Sequence, residues 1–232
     1  MNRSLFVAIL QKLNFRNVNN DMNNKENIKV ITFGCRLNTY ESEVMKKYAE
    51  AAGLENVVII NSCAVTGEAE RQARQAIRRI RRENPDSMII VTGCGVQTNS
   101  DSFASMPEID KLIGNDLKLK ADTWINIANK SRIQVNDIMK VKEMAGHLVS
   151  GFDNRTRVFL QVQNGCNHRC TFCIIPYGRG NSRSVAIEDI ISQAKMLSDN
   201  GYKEIVLTGV DITSYGADLE GNPKLGIWCV NF

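Results

Sequence analysis

Three apolar runs in the first hundred residues each stop on a cysteine: Lys29-Val-Ile-Thr-Phe-Gly-Cys35, Val57-Val-Ile-Ile-Asn-Ser-Cys63 and Met88-Ile-Ile-Val-Thr-Gly-Cys94. Short runs rich in β-branched residues read as strands. Helix-like segments separate them, and strict alternation of strand and helix implies a parallel sheet. Such a sheet has all its carboxyl ends on one edge, so the three thiols can meet at one metal centre. A fourth run, Val158-Phe-Leu-Gln-Val-Gln-Asn-Gly165, leads into Cys166-Asn-His-Arg-Cys170-Thr-Phe-Cys173. The chain reads as two three-thiolate sites on an α/β scaffold.

Its 232 residues suffice for two domains. A net charge of +4 is mildly basic, which allows a nucleic-acid partner without requiring one. Seven cysteines cannot all pair with one another, and the opening residues lack the apolar core and cleavage site of a secretory signal. A cytoplasmic location with metal-binding thiols follows better than a disulfide framework. No apolar stretch approaches the roughly 18 residues of a transmembrane helix, so no membrane partner is expected.

Residues 1–26 read as an N-terminal extension. Arg3, Lys12 and Arg16 precede the first acid, Asp21, a composition that also suits an organelle-targeting peptide; Met22 is a natural alternative start. Residues 27–128 form the first α/β domain, with right-handed crossovers expected. Asn38 and Glu41 look like a capping box for its first helix. A second helix runs over 67–83 until Asn84-Pro85 stops it. A strand near 110–113 and a helix over 117–128 complete three layers. Residues 129–156 read as a linker with some extended structure. The second domain, 157–232, has a helix over 187–200 and a strand over 204–208, the start of a (β/α) barrel.

Cys166, Cys170 and Cys173 within one loop are the donor set of an iron–sulfur cluster or zinc. Three thiolates leave one iron of a four-iron cluster free to bind substrate. His168 could complete a zinc site, although its place between Cys166 and Cys170 is cramped. Cys35, Cys63 and Cys94 are spaced by about one strand–helix unit each, and a switch point in a doubly wound sheet would gather them. Cys229, outside every motif, reads as a structural thiol.

The run Gly165-Cys-Asn-His-Arg-Cys-Thr-Phe-Cys-Ile-Ile-Pro-Tyr-Gly-Arg-Gly180 resembles the radical S-adenosylmethionine (SAM) methylthiotransferases. So do Thr32-Phe-Gly-Cys-Arg-Leu-Asn-Thr-Tyr-Glu-Ser42, Asn61-Ser-Cys-Ala-Val-Thr66 and Val91-Thr-Gly-Cys-Gly-Val-Gln97, and the likeness spans roughly residues 28–216. It implies a parallel-sheet methylthiotransferase domain followed by the start of a radical SAM partial TIM barrel. It also implies two [4Fe–4S] clusters. Cys166, Cys170 and Cys173 would hold the one that cleaves SAM to a 5′-deoxyadenosyl radical, and Cys35, Cys63 and Cys94 the one that delivers sulfur. Phe172 would lie near the adenine of SAM, and Thr208, Gly209 and Val210 near its methionine part. The branch most similar acts on N6-threonylcarbamoyladenosine in tRNA, adding a methylthio group to carbon 2. An electron donor such as flavodoxin or ferredoxin is implied. Gly95 departs slightly from the family, which has bulkier residues there.

Glu68 to Glu83 place Arg71, Arg74, Arg78 and Arg82 on one helical face, opposite Ala73, Ile77 and Ile80. That face is either a solvated surface or a contact for tRNA phosphates. Arg179 and Arg183 are placed to reach substrate or cofactor. The family continues past this chain to close the barrel and add an RNA-binding β-domain, so the chain reads as truncated. An inactive iron–sulfur RNA-binding fragment, or an enzyme for another modified adenosine, is the alternative.

Overall fold

The computed structural model describes residues 27–142 and 157–226. The expected N-terminal extension, the second half of the linker and Cys229 lie outside the described residues. The first unit comprises β1 (Ile28–Thr32), α1 (Arg36–Ala51), β2 (Val57–Ser62), α2 (Gly67–Glu83), β3 (Met88–Gly93), α3 (Cys94–Thr98), α4 (Ser100–Ala104), β4 (Lys111–Ile113), α5 (Ala121–Trp124) and β5 (Ile133–Gln134). All five strands are parallel and lie side by side in chain order. β5 extends the sheet into the segment expected to be linker.

Two apolar layers cover the sheet. Ile60, Ile89 and Val91 pack on one face with Ala76, Ile77 and Ile80 of α2 and with Phe103. Ile59 and Ile90 pack on the other with Met45 and Ala49 of α1 and with Trp124 and Ile127. Both crossovers step the same way across the sheet, yet their helices lie on opposite faces. The two crossovers therefore differ in hand, against the uniformly right-handed expectation. α1 also meets the second unit through Tyr40 and Val44.

Register places the cysteines. Asn61 pairs with Thr32 on one side and Thr92 on the other, and Ser62 pairs with Gly93. The next residues, Cys63 and Cys94, leave adjacent strands at the same level, and Cys35 sits at the N-cap of α1 just beyond β1. The strand order never reverses, so there is no switch point here. Adjacency of β2 and β3 levels Cys63 with Cys94, since neighbouring strands are about 4.8 Å apart.

Two local expectations change. Asn38 and Glu41 are not a capping box, because α1 has already begun at Arg36 and both side chains are buried. The helix expected over 117–128 is broken into a 3-10 turn at Leu117–Leu119, α5, and a second turn at Ile127–Asn129. Ile125 is extended and Asn126 takes a left-handed φ of 53°, so the helix cannot continue. The break lets Leu119, Trp124 and Ile127 each reach the interior.

The second unit comprises β6 (Arg157–Gln161), β7 (Gln163–Asn164), α6 (Ile175–Arg179), β8 (Arg183–Ser184), α7 (Ile187–Asp199) and β9 (Glu204–Thr208). β6 and β9 are parallel, from Arg157 beside Glu204 to Gln161 beside Thr208. Ile190 and Ala194 of α7 pack on Leu160 and Val162. Tyr40 and Val44 of α1 pack on Val158 and Phe159, which joins the two units.

Gly93, at the end of β3, has φ +104°, and a Cβ there would lie 2.2 Å from the Ser62 carbonyl oxygen. Gly93→Ala combines left-handed strain of about 1–3 kcal/mol with that clash. It is expected to lower the urea midpoint of unfolding clearly; an unchanged midpoint would refute this reading of the strand end.

Candidate metal centres

The N-terminal cysteines are framed by the loop before α1. Cys35 is exposed, whereas Cys63 and Cys94 are buried. A Cβ on Gly34 would lie 2.8 Å from Cys63 Sγ, so the turn before Cys35 presses directly on Cys63. Asn38 Nδ2 donates to the carbonyls of Phe33 (2.7 Å) and Ser62 (3.1 Å), fixing both cysteine-bearing loops from one side chain. The Val65 amide donates to Cys63 Sγ at 3.4 Å, and Asn115 Nδ2 to Cys94 Sγ at 3.5 Å. Burial pushes the Cys63 thiol pKa up, and the neighbouring Cys94 and Cys35 thiols add to the rise; the Val65 amide and Arg179 oppose it.

The loop cysteines are more open: Cys170 is exposed, Cys166 and Cys173 half-buried. The Cys166 amide donates to the Gly180 carbonyl at 3.0 Å, and Arg169 closes the loop onto the Cys166 carbonyl and Asn181 Oδ1. Gln163, which is fully buried, is the hub at the loop's base. Its Oε1 accepts from the amides of Val210 and Asp211, both at 2.8 Å. Its Nε2 donates to the Gly165 carbonyl at 2.7 Å and to Ser182 Oγ at 3.0 Å. The turn after β9 and the root of the cysteine loop are thus held by one amide. Thr208 is buried at the end of β9, Gly209 and Val210 follow in that turn, and Phe172 is 91% exposed.

His168 does not sit apart from the loop's candidate ligands. Its Nε2 lies 3.3 Å from Asp211 Oδ2, and Cys166 Sγ lies 3.9 Å from the same oxygen. Sequence spacing made His168 look cramped, because it omits Asp211, which arrives from beyond β9. The hydroxyls of Ser214 and Thr213 hold the Asp211 carboxyl below its ordinary pKa.

The two cysteine sites are physically coupled. α6 follows Cys173 almost at once and enters the first unit. A Cβ on Gly178 would lie 3.2 Å from Cys94 Cβ, and the Gly178 carbonyl accepts from Asn115 Nδ2. Next to it, Arg179 is buried. Its Nη1 donates to Glu41 Oε1 (2.7 Å) and Asn164 Oδ1 (3.0 Å), and its Nη2 to Asn38 Oδ1 (2.6 Å) and Glu41 Oε2 (3.2 Å). Lys118 Nζ reaches Glu41 Oε2 at 2.7 Å and Asn61 Oδ1 at 3.2 Å. Burial alone would raise the Glu41 pKa, but the charges of Arg179 and Lys118 overcome it and bring it down to about 2. Arg179 therefore does not reach outward to substrate; it crosses between the units. Arg183 lies behind it and donates to the Arg179 carbonyl at 2.6 Å.

The arginine face of α2 is largely engaged. Arg71 pairs with Glu68. Arg74 pairs with Glu70, donates to Ser102 and stacks 4.7 Å from the Phe103 ring centroid, which makes it a packing residue. Arg78 lies 3.8 Å from Glu108 and is 58% exposed, and Arg82 is exposed. The outer half of the helix is the part open to a partner.

The six cysteines among the described residues are free thiols. A zinc ion at about 2.3 Å from each sulfur would bring thiolates to about 4 Å from one another. Among the described residues, the only group with ligand atoms within 4.8 Å of one another is Cys166, His168 and Asp211. Neither cysteine trio closes on a single ion. A four-iron cluster binds each thiolate on a different iron, which calls for wider spacing, and all-thiolate sets select iron–sulfur clusters or soft ions. The donor sets fit clusters better than a three-cysteine zinc ion. No helix among the described residues is long and apolar enough to cross a membrane.

Comparison with known proteins agrees with this layout. Residues 27–114 match the uncharacterized protein family UPF0004, and residues 160–221 match the radical SAM superfamily. The chain therefore carries a UPF0004 match followed by a radical SAM match. A threonylcarbamoyladenosine tRNA methylthiotransferase of Rickettsia prowazekii is 56% identical over 202 residues, which is 87% of this chain and 48% of that protein. The Bacillus subtilis protein of the same name is 40% identical over 200 residues, 82% of this chain and 44% of that one. A tRNA-2-methylthio-N(6)-dimethylallyladenosine synthase of Finegoldia magna is 34% identical, covering 84% and 45%. The chain spans about half the length of these relatives. Among solved structures, the radical SAM methyltransferase TsrM of Kitasatospora setae shares the fold, with TM-score 0.54 at 12% identity, over 84% of this chain and 51% of that one.

Removing one partner of a buried ion pair costs about 3–5 kcal/mol. Glu41→Gln is expected to destabilise the chain by about that much at neutral pH. Because the folded Glu41 pKa is depressed from 4.5 to about 2, its stabilisation is complete above 4.5 and fades as pH falls toward 2. The gap between wild type and variant in urea melts should narrow over that window; a gap independent of pH would contradict the assigned ion pair.

Proposed function

We propose that this chain carries the two cysteine sites of a cytoplasmic tRNA methylthiotransferase that adds a methylthio group to carbon 2 of N6-threonylcarbamoyladenosine. The observation that carries the reading is the pair of three-cysteine sites, one at the carboxyl edge of a parallel sheet and one on a loop beside β9, joined by Arg179. The names of the curated relatives supply the substrate. Cys35, Cys63 and Cys94 would hold one [4Fe–4S] cluster, and Cys166, Cys170 and Cys173 a second. When bound, the loop cluster supplies reductive cleavage of SAM with electrons from a flavodoxin- or ferredoxin-type donor, and the other supplies the sulfur.

The chain's own residues set the stage for that chemistry. Gln163 holds the Val210 and Asp211 amides toward the base of the loop, so the turn at Thr208, Gly209 and Val210 is fixed before SAM arrives. Phe172, exposed beside Cys173, offers a ring face to the adenine. Arg179 and Asn115 keep α6 against Cys94, so the distance between the two cysteine sites is set by buried contacts. The exposed Arg78 and Arg82 give the tRNA backbone a basic contact.

Anaerobic reconstitution is expected to load iron and sulfide at both sites. Ala at Cys166, Cys170 and Cys173 together should remove about half of the iron, as should Ala at Cys35, Cys63 and Cys94. With SAM and a reductant, the loaded chain should release 5′-deoxyadenosine. Two loaded clusters and no 5′-deoxyadenosine would favour a catalytically silent RNA-binding fragment, and no iron uptake would defeat both readings. Arg78→Glu with Arg82→Glu should weaken tRNA binding and flatten its salt dependence without changing iron content. Equal affinity at all salt concentrations would remove α2 from the RNA surface.

A further inference from the structure

Cys166 Sγ, His168 Nε2 and Asp211 carboxylate oxygen lie within 4.8 Å of one another. A tetrahedral zinc-like ion, with bonds of about 2.0–2.3 Å, sets its nitrogen and oxygen ligands about 3.4 Å apart and its sulfur and oxygen ligands about 3.6 Å apart. The corresponding separations here are 3.3 Å and 3.9 Å. Two of the three ligands are already held. Asp211 accepts from Thr213 Oγ1 and Ser214 Oγ, both at 2.6 Å, and its amide is anchored on Gln163. The Cys166 amide is anchored on Gly180. Such outer contacts orient metal ligands and raise affinity. His168, 69% exposed, is the third ligand, and a fourth position would be open to water.

We propose that, before a cluster assembles on the loop, Cys166, His168 and Asp211 bind one divalent transition-metal ion of the zinc class. Cys170 and Cys173 take no part. Cys166 is common to both sites, so the mononuclear ion and the loop cluster exclude each other; this last point alone rests on the proposed cluster role of Cys166. Ion occupancy would then set how much of the chain can take up iron and sulfide.

The test uses the reduced, metal-free 232-residue chain with Co2+ alone, followed by its tetrahedral ligand-field bands and thiolate-to-cobalt absorption, with Zn2+ as competitor. One equivalent of Co2+ should give both signals. His168→Ala and Asp211→Asn should each weaken binding by about tenfold or more, whereas Cys170→Ser with Cys173→Ser should leave it unchanged. Binding that survives His168→Ala but is lost in the Cys170/Cys173 variant would overturn the proposal in favour of a three-cysteine ion. Iron loading of the His168→Ala chain should stay normal and become insensitive to prior Zn2+, while Zn2+ should depress loading of the wild type. A wild type that binds Co2+ as described but never loads iron would sink the cluster reading and leave this site standing. Zn2+ that fails to depress wild-type loading would overturn the exclusion.

Discussion

A carboxylate with no access to water, held between two cations, organises this molecule. Glu41 comes from the helix that begins at Cys35, Arg179 from the segment just after Cys173, and Lys118 from the turn before α5. None of the three could be buried alone without a large desolvation cost. Together with Asn38, Asn61 and Asn164 they satisfy one another's hydrogen bonds. A fully satisfied buried network is specific about geometry, because any shift strands a charge. Apolar packing of Tyr40 and Val44 on Phe159 brings the two units together, but that contact is non-directional. The charged network fixes their register.

The parallel sheet does the complementary work. It delivers Cys63 and Cys94 level with one another, because Ser62 and Gly93 are register partners. It cannot by itself bring in Cys35, which lies beyond β1. Asn38 does that by binding the Phe33 and Ser62 carbonyls at once. The same side chain accepts from Arg179, so the frame of the N-terminal thiols and the clamp on α6 share an atom group.

What was legible in the sequence follows from periodicity and punctuation. The strands ending at Cys35, Cys63 and Cys94, the helix over 67–83 and the strand over 204–208 were readable because short apolar runs and Pro or Gly boundaries are local signals. The helix over 117–128 was misread because its apolar residues mimic a helical repeat while serving as separate anchors around Asn126. Asn38 and Glu41 matched a capping box by spacing alone; apart from the Phe33 carbonyl, their real partners lie far along the chain. Gln163 and Asp211 gave no signal, since each acquires its role only when β9 returns beside β6. Arg74 looked like surface charge, and only the packing of Phe103 against α2 shows why its stem and guanidinium are drawn inward.

The contrast between the two cysteine sites has a physical basis. The N-terminal thiols sit under a buried guanidinium, among amides, on a rigid sheet edge. The loop thiols stand in an open turn with one hub, Gln163, beneath them. The loop site is open: Cys170 and Phe172 are exposed, and Cys166 and Cys173 are only half-buried. The N-terminal site is walled instead: Gly34, Asn115 and Gly178 press close on Cys63 and Cys94. Openness carries its own liability: beside the exposed loop, His168 and Asp211 gather close to Cys166, so under the proposal above a mononuclear ion competes with the cluster for that thiol. Among the described residues, no His, Asp or Glu forms such a group with Cys35, Cys63 or Cys94, and Glu41, behind Asn38, is committed to Arg179 and Lys118.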